Sequence, residues 1–280
     1  MLELITSIFN EAFFRPIINL LVILINVLAG IGIPGVLGFS IILLTIIIRM
    51  VVWPFMASQL KNAKMMAELK PKLDILKTKH QGDRQALSKA QMDLYKEHGI
   101  NPAGGCLPAL IQIPIVIALY NTISAFFNGP EGLLRINQSL YNPSWELRQI
   151  PDLNFFGLNL GILPSSFTQA GLAWLLFIPV ITALLQFFQS KMMAPKPLKK
   201  YPSDSPKEKK EKAKNDDMAS AMQTQMLYMM PVMVGYFAFQ FPAGLALYWN
   251  TFTILGIIQQ YLISGWGGAE GWMKKLNIVK

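Results

Sequence analysis

Long apolar runs alternate with polar blocks along this chain of 280 residues, a pattern typical of a helical membrane protein with several spans. The expected spans cover residues 36–57, 103–127, 171–190, 225–242 and 245–264. The apolar part of the fourth span, 226–241, is near the lower limit of roughly 17 residues needed to cross about 30 Å of hydrocarbon. Only Ala243 and Gly244, after Pro242, separate the fourth span from the fifth, so these two are expected to form a tight hairpin.

The first 35 residues form a separate extracytoplasmic segment in this interpretation. Their apolar stretch, 16–29, carries Asn19 and Asn26 and is followed by Gly-Ile-Gly-Ile-Pro-Gly at 30–35. It is too short to span, which favours an amphipathic helix lying in the membrane interface. A secretory signal peptide is the alternative, but the acidic start and the missing small-residue cleavage site disfavour it.

The polar blocks between the spans differ in character. Block 58–102 has apolar residues at spacings of three and four on both sides of 81–83, which predicts an antiparallel cytoplasmic helical hairpin. Pro71 should kink its first arm or begin a new segment. The apolar seam of the hairpin is interpreted as its own core, with a partner-binding groove as the alternative. Block 191–224 is lysine-rich and punctuated by prolines, so a mobile linker is expected, whereas 128–170 is an extracytoplasmic loop of short amphipathic pieces.

The lysines set the expected orientation. Blocks 58–102 and 190–224 each hold nine Lys/Arg and five Asp/Glu, and the tail 265–280 has three lysines, whereas 128–170 has two arginines against three acids. The positive-inside rule therefore places the two basic blocks and the C-terminus in the cytoplasm and, with five spans, the N-terminus outside. The net charge of +9 would suit anionic lipids or ribosomal RNA, although setting the topology explains it equally well.

Several classes of chemistry lack their motifs in this sequence. It has no phosphate-binding loop, no G-x-S-x-G elbow, no H-E-x-x-H and no dinucleotide fingerprint, so neither an enzyme nor a cofactor is expected. Cys106 is the only cysteine and there are two histidines, which argues against a disulfide framework and against a metal site. No expected span contains a carboxylate, which argues against proton-relay transport.

Arg49 is the most informative single residue, because it is the only ionisable group in the apolar run 36–55. An arginine at mid-bilayer costs about 2.5–3.5 kcal/mol on insertion scales, so such residues usually face protein or water. Thr45 lies one helical turn earlier and faces the same way. The other polar groups of the spans, among them Gln112 and the deeply placed Gln186, could simply form interhelical hydrogen bonds worth about 0.6 kcal/mol each. Arg49 has no intramembrane carboxylate to pair with, so a water-filled groove is the simplest way to satisfy it.

Five ordered blocks resemble the YidC family of membrane protein insertases over nearly the whole chain. They are Gly38–Pro54 (GFSIILLTIIIRMVVWP), the LKPK at 69–72, the LYK at 94–96, the NPAGGCLPALIQIPI at 101–115, and the FPAGLALYW at 241–249 with IIQQ at 257–260.

The resemblance implies an all-α integral membrane protein whose five transmembrane helices enclose a hydrophilic groove, open to cytoplasm and lipid. It implies that Arg49 and Thr45 line this groove with Gln112 on its wall, while Tyr248 and Trp249 lie on the face along which substrates slide. Some members have tyrosine where this chain has Trp249. The hairpin would help to capture substrates, and no nucleotide is required.

The expected partners are nascent membrane proteins with one or two spans, the ribosome, the Sec translocon and anionic lipids, with no specific DNA. The expected location is the bacterial cell membrane. Two alternatives stay open from the sequence. One is an assembly scaffold for membrane complexes without insertion activity of its own. The other is a small-solute channel or transporter, for which an inverted repeat would be expected but none is seen.

Overall fold

The structure, a computed structural model, describes residues 2–80, 82–100, 107–194 and 217–277 and is mostly helical. Among these residues, three helical stretches are long and apolar enough to cross a membrane: Thr6–Gly30, Val36–Met66 and Ala173–Met193. Shorter apolar helical stretches cover Gln112–Phe127 and Leu227–Gln240.

The helices are numbered in chain order. They are α1 (Leu2–Phe9), α2 (Arg15–Gly30), α3 (Val36–Glu68), α4 (Lys70–Lys79), α5 (Arg84–Glu97), α6 (Leu107–Phe127), α7 (Gly129–Gln138), α8 (Phe167–Ala170), α9 (Phe177–Met193), α10 (Asp217–Gln240), α11 (Ala243–Ser264) and α12 (Glu270–Lys275). A π-helical turn, Asn10–Phe14, joins α1 to α2, and short 3₁₀ turns lie at Pro143–Trp145, Pro164–Ser166, Ala173–Leu176 and Gly267–Ala269. Strands β1 (Asn154–Phe155) and β2 (Leu158–Asn159) form a small antiparallel hairpin.

The chain divides into two compact units. The first comprises Met1–Trp53, Pro108–Leu185 and Met233–Leu255, and the second comprises Pro54–Leu107, Gln186–Val232 and Gly256–Lys280.

Helix α2 is a main part of the core of the first unit. Its buried residues are Ile17, Ile18, Asn19, Leu21, Val22, Ile25 and Leu28, and they pack with apolar residues of α3, α6, α7 and α11. With the π-helical turn and part of α1 it forms the stretch Thr6–Gly30 of 25 residues, so the expectation that this segment is too short to span was wrong about its length.

Two asparagines tie α2 to the loop that follows α6. Asn19 Nδ2 donates to the carbonyl of Ser139 (3.0 Å), and Asn19 Oδ1 accepts from the amide of Tyr141 (2.7 Å). Asn26 Nδ2 donates to the carbonyl of Trp145 (2.8 Å). Because amides seven positions apart both bond to this loop, α2 runs alongside it.

The loop 128–170 is a folded cap of the first unit, more ordered than the amphipathic pieces expected from the sequence. Ile136, Leu147 and Leu160 are buried in the core of this unit. The carbonyls of Ile162 and Leu160 accept hydrogen bonds from the amides of Ala243 and Gly244, at 2.9 and 2.8 Å. These are the first amides of α11, which would otherwise lack partners, so the cap fixes the start of that helix.

The second unit contains the helical hairpin expected from block 58–102. Helix α3 continues without a break to Glu68, and α4 begins at Lys70 with Pro71 in its first turn, as expected for a proline that starts a new segment. Asp83 caps α5 by accepting from the amides of Gln85 and Ala86, at 3.1 and 2.9 Å. The apolar seam between the arms is mostly half-buried with Leu69 buried, which fits internal packing, whereas Met92 is 43% exposed.

The short turn between α10 and α11 confirms the tight hairpin expected at Pro242, since only Phe241 and Pro242 separate the two helices. Helix α11 has 22 residues but carries Asn250, Gln259 and Gln260, and it is not among the three described stretches that are long and apolar enough to cross a membrane. The linker expected over 191–224 falls mostly on residues 195–216, outside the described residues, and so does Cys106.

Candidate functional site

Arg49 lies in the first unit, on the part of α3 that packs against α6 and α11. Its side chain is only 5% exposed, and its guanidinium carbon lies 4.2 Å from the centroid of the Phe252 ring on α11. The Nε atom is buried, and no protein group in the described part of the chain accepts its hydrogen bond. None of the ion pairs between described residues involves Arg49. The cation is therefore held by an aromatic face and lacks a carboxylate partner there.

A polar pair of one half-buried and one buried side chain lies next to this cation–aromatic contact. Gln112 on α6 donates from Nε2 to the hydroxyl oxygen of Tyr248 on α11 (2.8 Å), and Tyr248 is fully buried. The Tyr248 and Phe252 rings are 5.9 Å apart between centroids and tilted by 34°. Phe252 thus contacts both Arg49 and Tyr248, so one helical turn of α11 connects the cation with the polar pair.

Thr45 is fully buried one turn before Arg49. Its hydroxyl donates to the carbonyl of Ile41 in the same helix (2.6 Å), so it satisfies its own polar group locally. Trp249 is half-buried on α11 beside Tyr248 and has polar or ring contacts of its own.

The structure therefore brings Arg49, Gln112 and Tyr248 into one cluster, with Thr45 on the same helix face as Arg49. Gln186 lies on α9 within the second unit and is half-buried, so this cluster of the first unit is formed without it. Phe252 was missed by sequence reasoning. Its position four residues after Tyr248, on the same face of α11, is the signal that could have identified it.

Chemically, this arrangement can offer the unused Nε–H donor of the Arg49 cation to an incoming hydrogen-bond acceptor. A buried donor without an acceptor costs about 1–3 kcal/mol, and more when the donor is charged. A carboxylate, a carbonyl or a polar side chain that reaches Nε would recover that free energy. Among the described residues, no group of three or more His, Cys, Asp or Glu side chains could hold a metal ion.

Comparisons with known proteins agree on one family. A family model described as 60Kd inner membrane protein matches residues 30–267. The chain is 30% identical over 229 residues to the membrane protein insertase YidC of Fusobacterium nucleatum subsp. nucleatum, which covers 82% of this chain and 86% of that protein. It is 31% identical over 264 residues to the membrane protein insertase YidC 2 of Bacillus anthracis, a match that covers 93% of this chain and 82% of that protein.

Other relatives are much longer than this chain. The membrane protein insertase YidC of Ectopseudomonas mendocina is 33% identical over 233 residues, which is 83% of this chain but 32% of that protein. A crystal structure of an active YidC insertase with its first transmembrane domain resolved aligns with a TM-score of 0.48 at 23% identity, over 81% of this chain and 41% of that one. Because the family model matches most of the chain, and because the Fusobacterium relative is matched over most of its own length, this chain belongs to the YidC family of membrane protein insertases.

Proposed function

We propose that this chain inserts membrane proteins into the bilayer by offering Arg49 to polar segments that must cross it. The observation that carries the proposal is the buried guanidinium on α3, whose Nε lacks an acceptor among the described protein groups. Structural arginines in membrane spans are normally paired, because an uncompensated charge there is costly. An arginine left with bonding capacity is better explained by a partner that comes and goes.

A substrate segment gains from the nearby Arg49 because crossing the bilayer costs the segment free energy of hydration. An acidic or polar segment entering hydrocarbon loses hydration, and a nearby cation returns part of that free energy because Coulomb interactions strengthen as the dielectric falls. The apolar helix that follows then leaves sideways into lipid, driven by burial of its apolar surface at about 25 cal/mol per Å². Neither step needs nucleotide hydrolysis.

The Phe252 ring has to move off the Arg49 guanidinium when a substrate binds. A cation–π contact contributes about 0.5–2 kcal/mol, whereas a hydrogen bond to a charged group contributes about 1.5–3 kcal/mol. A substrate carboxylate can therefore replace the ring with a small net gain. Without a substrate, the Phe252 ring would cover Arg49. A bound substrate would replace the ring, so the hydrophilic groove would open only around a substrate.

The proposed topology has five spans, with the basic hairpin and the tail in the cytoplasm and the loop 128–170 outside. The distribution of lysines supports this orientation. The bonds of Asn19 and Asn26 to the loop support an interfacial α2, since a helix that runs along one extracytoplasmic loop stays on that side of the membrane. The proposed partners are nascent proteins with one or two spans, the ribosome, the Sec translocon and anionic lipids at the cytoplasmic surface.

Reconstitution of the purified chain into lipid vesicles without other proteins tests the function. A radiolabelled single-span substrate is added, and insertion is measured as a protease-protected fragment. Insertion well above that of empty vesicles is expected. Binding of the substrate without a protected fragment would favour the assembly scaffold, and ion flux through the vesicles would favour the channel.

A further inference from the structure

A second polar site lies in the first unit, at the junction of the N-terminal helices, α6 and α7. A cavity of about 420 Å³ opens there, lined by Asn10, Glu11, Phe14, Arg15, Asn121, Arg135, Gln138 and Ser139. All of these residues belong to the first unit, and none belongs to the Arg49 cluster. Two arginines and three side-chain amides face one space of this size.

The two arginines have different roles. Arg15 is engaged on all sides: it pairs with Glu11 (2.9 Å), donates from Nε to the carbonyl of Ser139 (3.4 Å) and lies 4.7 Å from the centroid of the Tyr141 ring. Arg135 is exposed, and within the part of the chain that the structure describes its side chain has neither a carboxylate nor a hydrogen-bond partner. The charges of Glu11 and Arg15 cancel. The cavity therefore has a net charge of +1, which comes from Arg135.

The local backbone supports a built site. The segment Asn10–Phe14 is a π-helical turn, and such turns occur mostly as single insertions in α-helices, frequently at functional sites. Three of its residues, Asn10, Glu11 and Phe14, line the cavity. The side-chain amides of Asn10, Asn121 and Gln138 can each donate two hydrogen bonds to oxygen atoms.

The surroundings indicate a ligand that is part lipid. Ile8 is 58% exposed one turn before Glu11, and Leu134 is 59% exposed one turn before Gln138, so apolar side chains flank the cavity. Asn121 lies six residues before the end of α6, about 9 Å along its axis. In the proposed five-span arrangement this places Asn121 in the outer part of the span, just below the headgroups on the side of the loop 128–170.

We propose that this cavity binds the phosphodiester headgroup of an anionic phospholipid in the outer leaflet, with Arg135 on the phosphate and the amides on the phosphate or glycerol oxygens. Arginine suits a phosphate because its planar fork can donate two parallel hydrogen bonds. A single excess positive charge matches the single negative charge of a phosphodiester. The placement in the outer leaflet rests on the proposed topology, whereas the binding itself does not depend on insertion activity.

Native mass spectrometry of the full chain in detergent, titrated with phosphatidylglycerol, tests the proposal. We expect Arg135→Gln to weaken binding of the first lipid at least about tenfold, since it removes a charge-assisted bond. Arg148→Gln is the matched control, because it removes the same charge from the same exposed loop outside the cavity. Equal weakening by both variants would overturn the site in favour of diffuse charge attraction.

The source of the phosphate is tested by two further titrations. Phosphatidylcholine is expected to bind more weakly than phosphatidylglycerol to the unaltered chain, because its headgroup is neutral overall. Inorganic phosphate is expected not to compete with the lipid at millimolar concentration. Competition at that level would show a free-anion site and overturn the lipid assignment. Retained lipid binding in a chain without insertion activity would count against the proposed function alone.

Discussion

At the scale of single residues, Arg49 is the position where the environment conflicts most with the charge. The sequence identified it correctly as the one ionisable group of its apolar run. The sequence could not show that Phe252 covers the guanidinium or that Gln112 bonds Tyr248, because both contacts join helices far apart along the chain. Periodicity predicts which residues share a helix face, whereas contacts between helices depend on how the helices pack.

Replacing Arg49 tests the electrostatic mechanism. Arg49→Lys should keep much of the insertion of substrates with acidic exported tails, because a positive charge remains, although lysine lacks the planar fork. Arg49→Ala should reduce insertion of acidic tails about tenfold or more and that of neutral tails least. The measurement is protease protection of matched substrates that differ only in tail charge.

Folding of the Arg49 variants is the control for that experiment. The Arg49→Ala chain should stay folded in detergent, because removing a charge that has no carboxylate partner does not strand an opposite charge. Equal loss for acidic and neutral tails in a folded variant would contradict electrostatic attraction. Collapse of the Arg49→Ala chain would give Arg49 a structural role instead.

Gly38 is a residue whose importance comes from close packing. A Cβ atom at this position would overlap the ring of Phe155 from the β1–β2 hairpin. Gly38→Ala should therefore lower the free energy of unfolding of the detergent-solubilised chain by about 1–3 kcal/mol, because the cost of overpacking exceeds the gain in helix propensity. This loss is measured by thermal unfolding. Gly30→Ala is the matched control, because a Cβ there meets nothing within 4 Å. Combining Gly38→Ala with Phe155→Ala should remove most of the overlap penalty, and simple addition of the two single effects would show that the ring does not matter.

At the scale of elements, the sequence predicted the apolar helices well and the loop between α6 and α9 poorly. Apolar runs specify helices because a backbone in hydrocarbon must satisfy its hydrogen bonds internally. The loop 128–170 gave only scattered apolar residues, and its buried members Ile136, Leu147 and Leu160 lie in or beside separate short elements, so no single period connects them. The expectation for α2 failed in length because Asn10–Phe14 continues the helix as a π-turn across the polar residues before Arg15.

The cap of α5 gives a test of the hairpin as a separate element. Asp83→Ala removes the acceptor of two amide hydrogen bonds, so the free energy of opening α5 should fall by about 1 kcal/mol. Hydrogen exchange of amides 84–97 in the full chain measures this change. Asp83→Asn should retain most protection, since asparagine also caps, and Asp93→Ala, an exposed acid in mid-helix, serves as the control. Unchanged exchange in Asp83→Ala would mean that packing against α4 alone holds the helix.

At the scale of the whole molecule, membership of an insertase family confirms the expectation that this chain is not an enzyme. It is a multi-pass protein of the cell membrane, as its family is. The number of spans comes from the apolar runs and their orientation from the lysine distribution, and both remain predictions. In the structure, Thr6–Gly30 is a helical stretch of 25 residues whose length and composition would allow it to cross a membrane. The polar contacts of Asn19 and Asn26 with one loop argue that it lies along the surface instead.

Single cysteines decide between these topologies. In a chain whose native Cys106 is replaced by serine, cysteines at Lys89 and Lys275 should be shielded from an impermeant thiol reagent in intact cells, and one at Arg148 should react. A cysteine at Glu3 discriminates most: it should react if α2 lies in the outer interface, and it should be shielded if Thr6–Gly30 crosses the bilayer, because the N-terminus would then be cytoplasmic. All four positions should react once the cells are lysed, which controls for burial of the thiol. Labelling of Lys89 or Lys275 in intact cells would overturn the five-span orientation itself. A shielded Glu3 with Arg148 labelled would instead add a sixth span and leave the other five as proposed.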